Sequence, residues 1–363
     1  MRIQGIDHVE YYAGDLAKAA APLCDAFGFA VAGRSRPPSG PGGSSSLLLR
    51  QGRIRLLLTA AASGSEPAAQ FVARHGDGVG AIAFRTDDVR AAFAEFVASG
   101  ARPVAGPAFA GTGRDAVGTA LVAGFGDVLH KLVERADPEA GFAPGEIDEE
   151  PADSRLDGPD AARPLLEEID HVAVCLPAGE LDRTVAFYRD VFGLAQIYDE
   201  RIEVGTQAML SKVVQDHDAR VTFTLIEPDV SREPGQIDDF LRAHGGAGVQ
   251  HLALRAPDIT AAVTAISGRG AEFLVAPAGY YQALGGRLGT LTIPVEVLRG
   301  LNVLADRDRW GEMYQIFARS THERHTFFIE LIERRGALTF GSRNIKALYE
   351  ALDDEHAANH ALN

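Results

Sequence analysis

The chain is written twice, and that repetition limits what it can become more than any other feature. Ile6-Asp7-His8-Val9 returns as Ile169-Asp170-His171-Val172. Gly78-Val79-Gly80-Ala81-Ile82-Ala83-Phe84-Arg85 returns as Gly248-Val249-Gln250-His251-Leu252-Ala253-Leu254-Arg255. The register holds through Asp88/Asp258, Gly100/Gly270 and Pro107/Pro277, and Lys131-Leu132-Val133-Glu134-Arg135 returns as Glu330-Leu331-Ile332-Glu333-Arg334. Self-similarity of this kind means related units sharing one architecture. Residues 1–136 and 165–363 are therefore read as two domains. Between them, 137–164 is acidic, rich in Pro and Gly and without apolar periodicity, and reads as a linker. The 363-residue length agrees, at roughly 150 residues per domain.

Each half is itself double. Ile169–Leu176 and Val249–Leu254 are short β-branched or aliphatic runs, which read as strands. Each leads through a loop with an acidic residue (Glu180, Asp258) into an amphipathic helix, Leu181–Phe192 or Ile259–Ser267, closed by Gly193 or Gly270. The same order starts at Ile6 and at Val79. Shorter strand-like runs follow, such as Leu47–Leu49 and Ile54–Leu58 around a Gly52 turn, then Val221–Ile226 and Thr290–Ile293. The unit is a strand, a helix and several strands, used four times. Residues 35–46 read as a surface loop inside the first half.

Composition excludes several functions. With 35 Lys and Arg against 50 Asp and Glu the formal charge is −15, opposite to what phosphate contacts require, so no nucleic-acid partner is expected. No run approaches the ~20 apolar residues of a membrane span, so no membrane partner is expected either. The opening residues lack a signal-peptide pattern. Two cysteines, Cys24 and Cys175, are too few for a disulfide framework. A cytoplasmic setting is the expectation.

The copies differ where chemistry is concerned. The second half carries His171, His251 and Glu330 at three matched strand positions, whereas the first has His8, Ala81 and Lys131. An imidazole beside an ammonium and a methyl group cannot hold a divalent cation; two imidazoles and a carboxylate can. Period-2 alternation puts His171 on one face with Ile169, Ala173 and Cys175, His251 with Val249 and Ala253, and Glu330 with Phe328 and Ile332. A carboxylate aimed into such an apolar interior is costly unless paired. Two His and one carboxylate with open positions suit a non-haem Fe(II) oxygenase better than a closed zinc site. His8, His75, His130, His217 and His244 are read as structural.

These residues resemble the vicinal oxygen chelate superfamily and, within it, the family of 4-hydroxyphenylpyruvate dioxygenases and 4-hydroxymandelate synthases. The matching stretches are Gly245 to His251, Tyr314-Gln315-Ile316-Phe317, His325 to Arg334 and Thr339 to Tyr349. The resemblance implies an α+β fold of two tandem vicinal-oxygen-chelate-type domains, each of two βαβββ units forming an open barrel. The first carries no metal site; the second, catalytic one ends in a closing helix over 344–353. Iron ligation by His171, His251 and Glu330 is implied, with a pocket containing Ser211, Gln236, Gln250, Gln315, Phe317, Phe328, Phe340 and Asn344. Ser211 and Gln315 either hydrogen-bond the substrate or satisfy neighbouring backbone. Phe328 and Phe340 either stack on the arene or belong to the core. Gln250, adjacent to His251, is expected on the opposite strand face.

Both relatives use a 2-oxo acid substrate that chelates Fe(II) beside O2, and they diverge after oxidative decarboxylation. One attacks the ring and yields homogentisate; the other hydroxylates the benzylic carbon and yields 4-hydroxymandelate. Ile345 stands where the dioxygenases typically carry Phe, Ile226 where they carry Asn and Thr224 where they carry Pro. The resemblance therefore leans to the synthase, with Ile345, Ser211 and Gln315 as the residues that steer the reaction. A dioxygenase of tyrosine breakdown and, from another class, a metal-free binding protein are the alternatives. The sequence leaves the oligomeric state open; the first half, without a metal site, has outer surfaces to offer a twin subunit, and a homodimer is the commonest assembly.

Overall fold

The computed structural model describes residues 3–36, 43–61, 64–137, 141–143, 146–149, 164–276, 279–341 and 343–347. The first half contains β1 (Ile6–Tyr12), α1 (Leu16–Ala21), β2 (Ala30–Ser35), β3 (Ser44–Gln51), β4 (Ile54–Ala61), α2 (Pro67–His75), β5 (Gly78–Arg85), α3 (Val89–Ala98), β6 (Pro103–Ala110), β7 (Val117–Ala123), β8 (Leu129–Arg135) and β9 (Ile147–Glu149). The second contains β10 (Glu168–Cys175), α4 (Leu181–Phe192), β11 (Ala195–Val204), β12 (Gln207–Gln215), β13 (Thr222–Pro228), α5 (Gln236–His244), β14 (Gly248–Arg255), α6 (Ile259–Gly268), α7 (Tyr280–Leu288), α8 (Val295–Leu301), β15 (Leu304–Arg307), β16 (Glu312–Phe317) and β17 (Phe328–Arg335).

The strand orders are β6-β7-β8-β5-β1-β4-β3-β2-β9 and β11-β12-β13-β10-β14-β17-β16-β15. In both sheets the opening strands of the two units pair antiparallel (β1 with β5, β10 with β14), and each pairs parallel with the last strand of its own unit. These are two curled half-barrels of tandem vicinal oxygen chelate type. The parallel pairing has a local cause. In three units a Glu on the last strand accepts the first backbone N–H of the unit's helix: Glu134 from Val89, Glu227 from Leu181 and Glu333 from Ile259, at 2.8, 3.0 and 2.8 Å. Those N–H groups have no partner within the helix, and a carboxylate there also suits the helix dipole.

One core serves both halves. Phe84, Phe96, Val122 and Leu132 of the first pack in the same buried cluster as Phe192, Phe223, Leu252 and Leu331 of the second. The β3–β4 turn is pressed on the chain entering β10: Gly52 has φ +54°, and a Cβ there would lie 2.6 Å from the Leu166 carbonyl oxygen. Only glycine meets both demands.

Three expectations need correction. Thr290–Ile293 is not a strand; it is the connection between α7 and α8, which interrupt the fourth unit before its three closing strands. Pro294, directly after it, starts α8 rather than extending a ladder. Residues 35–46 are not loop throughout, because Ser35 ends β2 and Ser44–Ser46 begin β3; 37–42 lie outside the described residues. The acidic segment 137–164 is not all tether either. Ile147–Glu149 forms β9 against β2, and Phe142 is buried with Leu48 and Ile147. Of the closing helix, 343–347 is helical and 348–353 lies outside the described residues.

Candidate metal centre

Adjacent strands β10, β14 and β17 bring the triad together. Pairing sets Ala173 against His251, His171 against Ala253 and Ala253 against Glu330, so each functional side chain has a small neighbour and all three lean inward. One ligand atom from each lies within 4.8 Å of the others. The Glu330 Oε2 is 3.2 Å from His251 Nε2 and 3.6 Å from His171 Nε2. All three side chains are buried, Glu330 to 1% exposure.

Every other polar atom of the triad is already held. His171 Nδ1 donates to Asp170 at 3.0 Å, and Arg334 grips Asp170 with two bonds of 2.7 and 2.8 Å. His251 Nδ1 donates to the Gln250 Oε1 at 3.1 Å. Gln315 Nε2 donates to Glu330 Oε1 at 2.8 Å. Both imidazoles are thereby left with Nε2 turned to a common point, together with one carboxylate oxygen. This donor set fits a divalent ion, with the outer contacts that usually orient metal ligands. Burial disfavours charge at His171, yet Glu330 and Asp170 raise its pKa to about 9. Burial likewise opposes charge at Glu330, but His171 and His251 bring it down to about 2. Burial lowers His251 below its ordinary value. The pocket thus demands a positive charge, from a proton or from a metal ion.

The first half shows what replaces that demand. Glu10 occupies the place of Ala173, opposite Ala81, and pairs with Lys131, the counterpart of Glu330; His8 Nε2 lies 3.3 Å from Glu10. An ammonium stands where the second half can hold an ion. The surroundings repeat closely. Arg135 grips Asp7 at 2.9 and 2.8 Å and stacks on Phe142, as Arg334 grips Asp170 and stacks on Phe340. Phe142 meets His8 edge-on as Phe340 meets His171.

Of the pocket residues named from the sequence, Ser211, Thr224, Ile226, Gln315, Phe317, Phe340 and Ile345 line one cavity with the triad. Gln250, Phe328, Asn344 and Gln236 are not among its lining residues. A register shift between Ala173 and Val174 keeps Gln250 beside His251 rather than on the opposite face, where it sets the tautomer. That shift also moves Val249 off the triad's face into the main core. Phe328 stacks on the far side of His251 at 4.8 Å, facing the cleft between the halves. Asn344 is buried behind Gln315 and donates to its Oε1 at 2.8 Å. Gln236 is buried at the start of α5. The sequence reading missed Tyr198, Glu200 and Ile202, which line the cavity from β11, and the orienting pair Asp170 and Arg334. Among the other histidines, His75 and His244 end α2 and α5 and stack on each other at 4.5 Å, and His130 is buried on β8.

Tandem βαβββ half-barrels with a two-histidine, one-carboxylate site define a class of metal-dependent proteins. Residues 5–117 and 168–287 match the Glyoxalase/Bleomycin resistance protein/Dioxygenase superfamily. The chain belongs to the 4-hydroxyphenylpyruvate dioxygenase and 4-hydroxymandelate synthase family of the vicinal oxygen chelate superfamily. A probable 4-hydroxyphenylpyruvate dioxygenase 2 of Aspergillus fumigatus is 32% identical over 97% of this chain and 94% of its own length. A 4-hydroxyphenylpyruvate dioxygenase of Yarrowia lipolytica is 29% identical over 98% and 92%. Among solved structures, a triple mutant of 4-hydroxymandelate synthase from Streptomyces coelicolor has a TM-score of 0.88 and 41% identity, covering 98% of this chain and 100% of that one. No helix among the described residues is long and apolar enough to cross a membrane.

Proposed function

We propose that the chain is an Fe(II)-dependent dioxygenase converting 4-hydroxyphenylpyruvate and O2 to 4-hydroxymandelate and CO2. The observation that carries this reading is the placement of Ile226 and Ile345 in one apolar cluster on the wall of the metal cavity. His171, His251 and Glu330 are the ligands, and 165–363 is the catalytic domain. Bound Fe(II) supplies the activation of O2 for oxidative decarboxylation of a chelating 2-oxo acid.

The chain's own side chains do the rest. Asp170 and Gln250 keep the Nδ1 protons in place, so that both Nε2 atoms stay available. Gln315 holds one oxygen of Glu330 and leaves the other for the ion. Phe340 and Ile345 close the cavity and keep bulk water from the reacting carbon. Ile226 and Ile345 offer the arene no hydrogen bond and no aromatic edge to hold its ring carbon in line for attack. The benzylic carbon is then the position presented, an orientation effect.

A second reading, release of homogentisate, is favoured by the names of the curated relatives. Aerobic incubation of Fe(II)-loaded protein with 4-hydroxyphenylpyruvate, followed by liquid chromatography, separates the two. Hydroxymandelate is the expected product, and homogentisate as the main product would select the second reading. The free thiols Cys24 and Cys175 support a reducing, cytoplasmic setting.

A further inference from the structure

Strand β11 contributes three side chains to the metal cavity, Tyr198, Glu200 and Ile202, each two residues from the next and so on one strand face. Glu200 pairs directly across from Ser211, and Ser211 across from Ile226. β11 is an edge strand, separated from β10 by β12 and β13, so Glu200 enters the cavity from the border of the sheet away from the three ligand strands. Tyr198 Oη donates to Glu200 Oε2 at 3.0 Å and steadies the carboxylate.

The cavity therefore carries charged or ion-binding groups at its metal end and at its β11 border, with the Ser211 and Thr224 hydroxyls on the strands between. At the metal end both halves of the Gln315 amide are engaged, one by Glu330 and one by Asn344, so Gln315 serves the ligand set. At the β11 end stands a carboxylate, which accepts hydrogen bonds and has about four lone-pair sites for them. Ile202, Ile226, Phe317 and Ile345 supply apolar wall.

Resting on the reading that an arylpyruvate binds with its keto acid at the ion, we infer that Glu200 is a specificity-determining residue that accepts the substrate's phenolic hydroxyl, with Tyr198 as its positioning residue. A carboxylate at this end does two things. It rewards a ring that carries a hydroxyl donor over one that does not. It also repels the substrate's own carboxylate, so the acid cannot enter reversed, with its charged end away from the ion.

The test compares 4-hydroxyphenylpyruvate with phenylpyruvate by oxygen uptake in wild type, Glu200→Leu and Glu200→Gln. In Glu200→Leu the ratio of kcat/KM for the hydroxylated over the plain acid is expected to fall about 10- to 100-fold, the worth of a hydrogen bond to a charged group. Glu200→Gln, which keeps an acceptor without the charge, is expected to fall less, and gives a readout even if the leucine variant folds poorly. Co(II) titration reports whether the metal end is intact in each. An unchanged ratio in both variants overturns the inference while leaving the assigned reaction standing. Wild-type protein that consumes oxygen with neither acid overturns the assigned reaction, and this inference with it.

Discussion

At His171 the Nδ1 proton is committed to Asp170, and Asp170 is in turn clamped by Arg334. Asp170→Asn weakens this hold on the ring and its charge; such outer contacts typically contribute 10–100-fold in metal affinity. A Co(II) titration under nitrogen is expected to show a loss of about that size, and an unaltered affinity would detach Asp170 from the site. Titration of His171 adds a pH dependence. Its pKa without an ion is about 9, so below that pH an incoming ion must expel a proton. Affinity is expected to rise roughly tenfold per pH unit from about pH 6 to 8.5 and to level off near 9. Asp170 was hard to see in the sequence because both copies carry it. Asp7 makes the same clamp with Arg135, so a comparison that looks for differences finds the ligands and passes over their support. Glu10, which holds the Lys131 ammonium that replaces an ion in the first half, aligns with Ala173 of the second copy and could not be recognised until the strands were paired.

The closing segment is the element on which the proposed choice of product turns. Residues 343–347 are fixed through Asn344, which donates to Gln315 and accepts from the Tyr280 hydroxyl at 2.6 Å. Tyr280 opens α7, part of the insertion that the pattern of the other three units gave no reason to expect. Asn344 is thereby tied to the amide that holds Glu330, and the neighbouring Ile345 lines the cavity. Ile345→Phe adds an aromatic ring to the apolar cluster that includes Ile226. The homogentisate fraction of the product is expected to rise, measured by chromatography after a single incubation; an unchanged ratio would remove Ile345 from the branch. Helices α4 and α6 were legible because their apolar spacing and terminal glycines agree with their packing. β11 was not, since Gln196, Asp199, Glu200 and Arg201 look like a solvated edge, and only its curl turns one face of it to the cavity.

At the scale of the whole molecule, the metal half shares its largest apolar cluster with the first half. Phe84 and Phe192, one from each half, meet at 5.1 Å, and between the halves His130 Nε2 and the Tyr188 hydroxyl share a buried hydrogen bond of 2.9 Å. Unfolding either half exposes this shared surface, so both halves are expected to melt together in scanning calorimetry. Burial lowers the pKa of His130 to about 3 and that of His244, stacked on His75, to about 4. Both are neutral in the native protein and gain a proton once unfolded below about pH 6.5. Their contribution is complete above that pH and is lost as pH falls towards 4 and then 3. The expected result is one calorimetric transition whose midpoint drops steadily from about pH 6.5 to 4, with His130→Leu flattening the slope. Tyr188→Phe, which leaves a buried imidazole nitrogen without its partner, is expected to cost about 1–3 kcal/mol and to shift that same single transition. Two separate transitions, only one of them sensitive to pH in this range, would show that the halves fold independently and that the metal site does not depend on its neighbour.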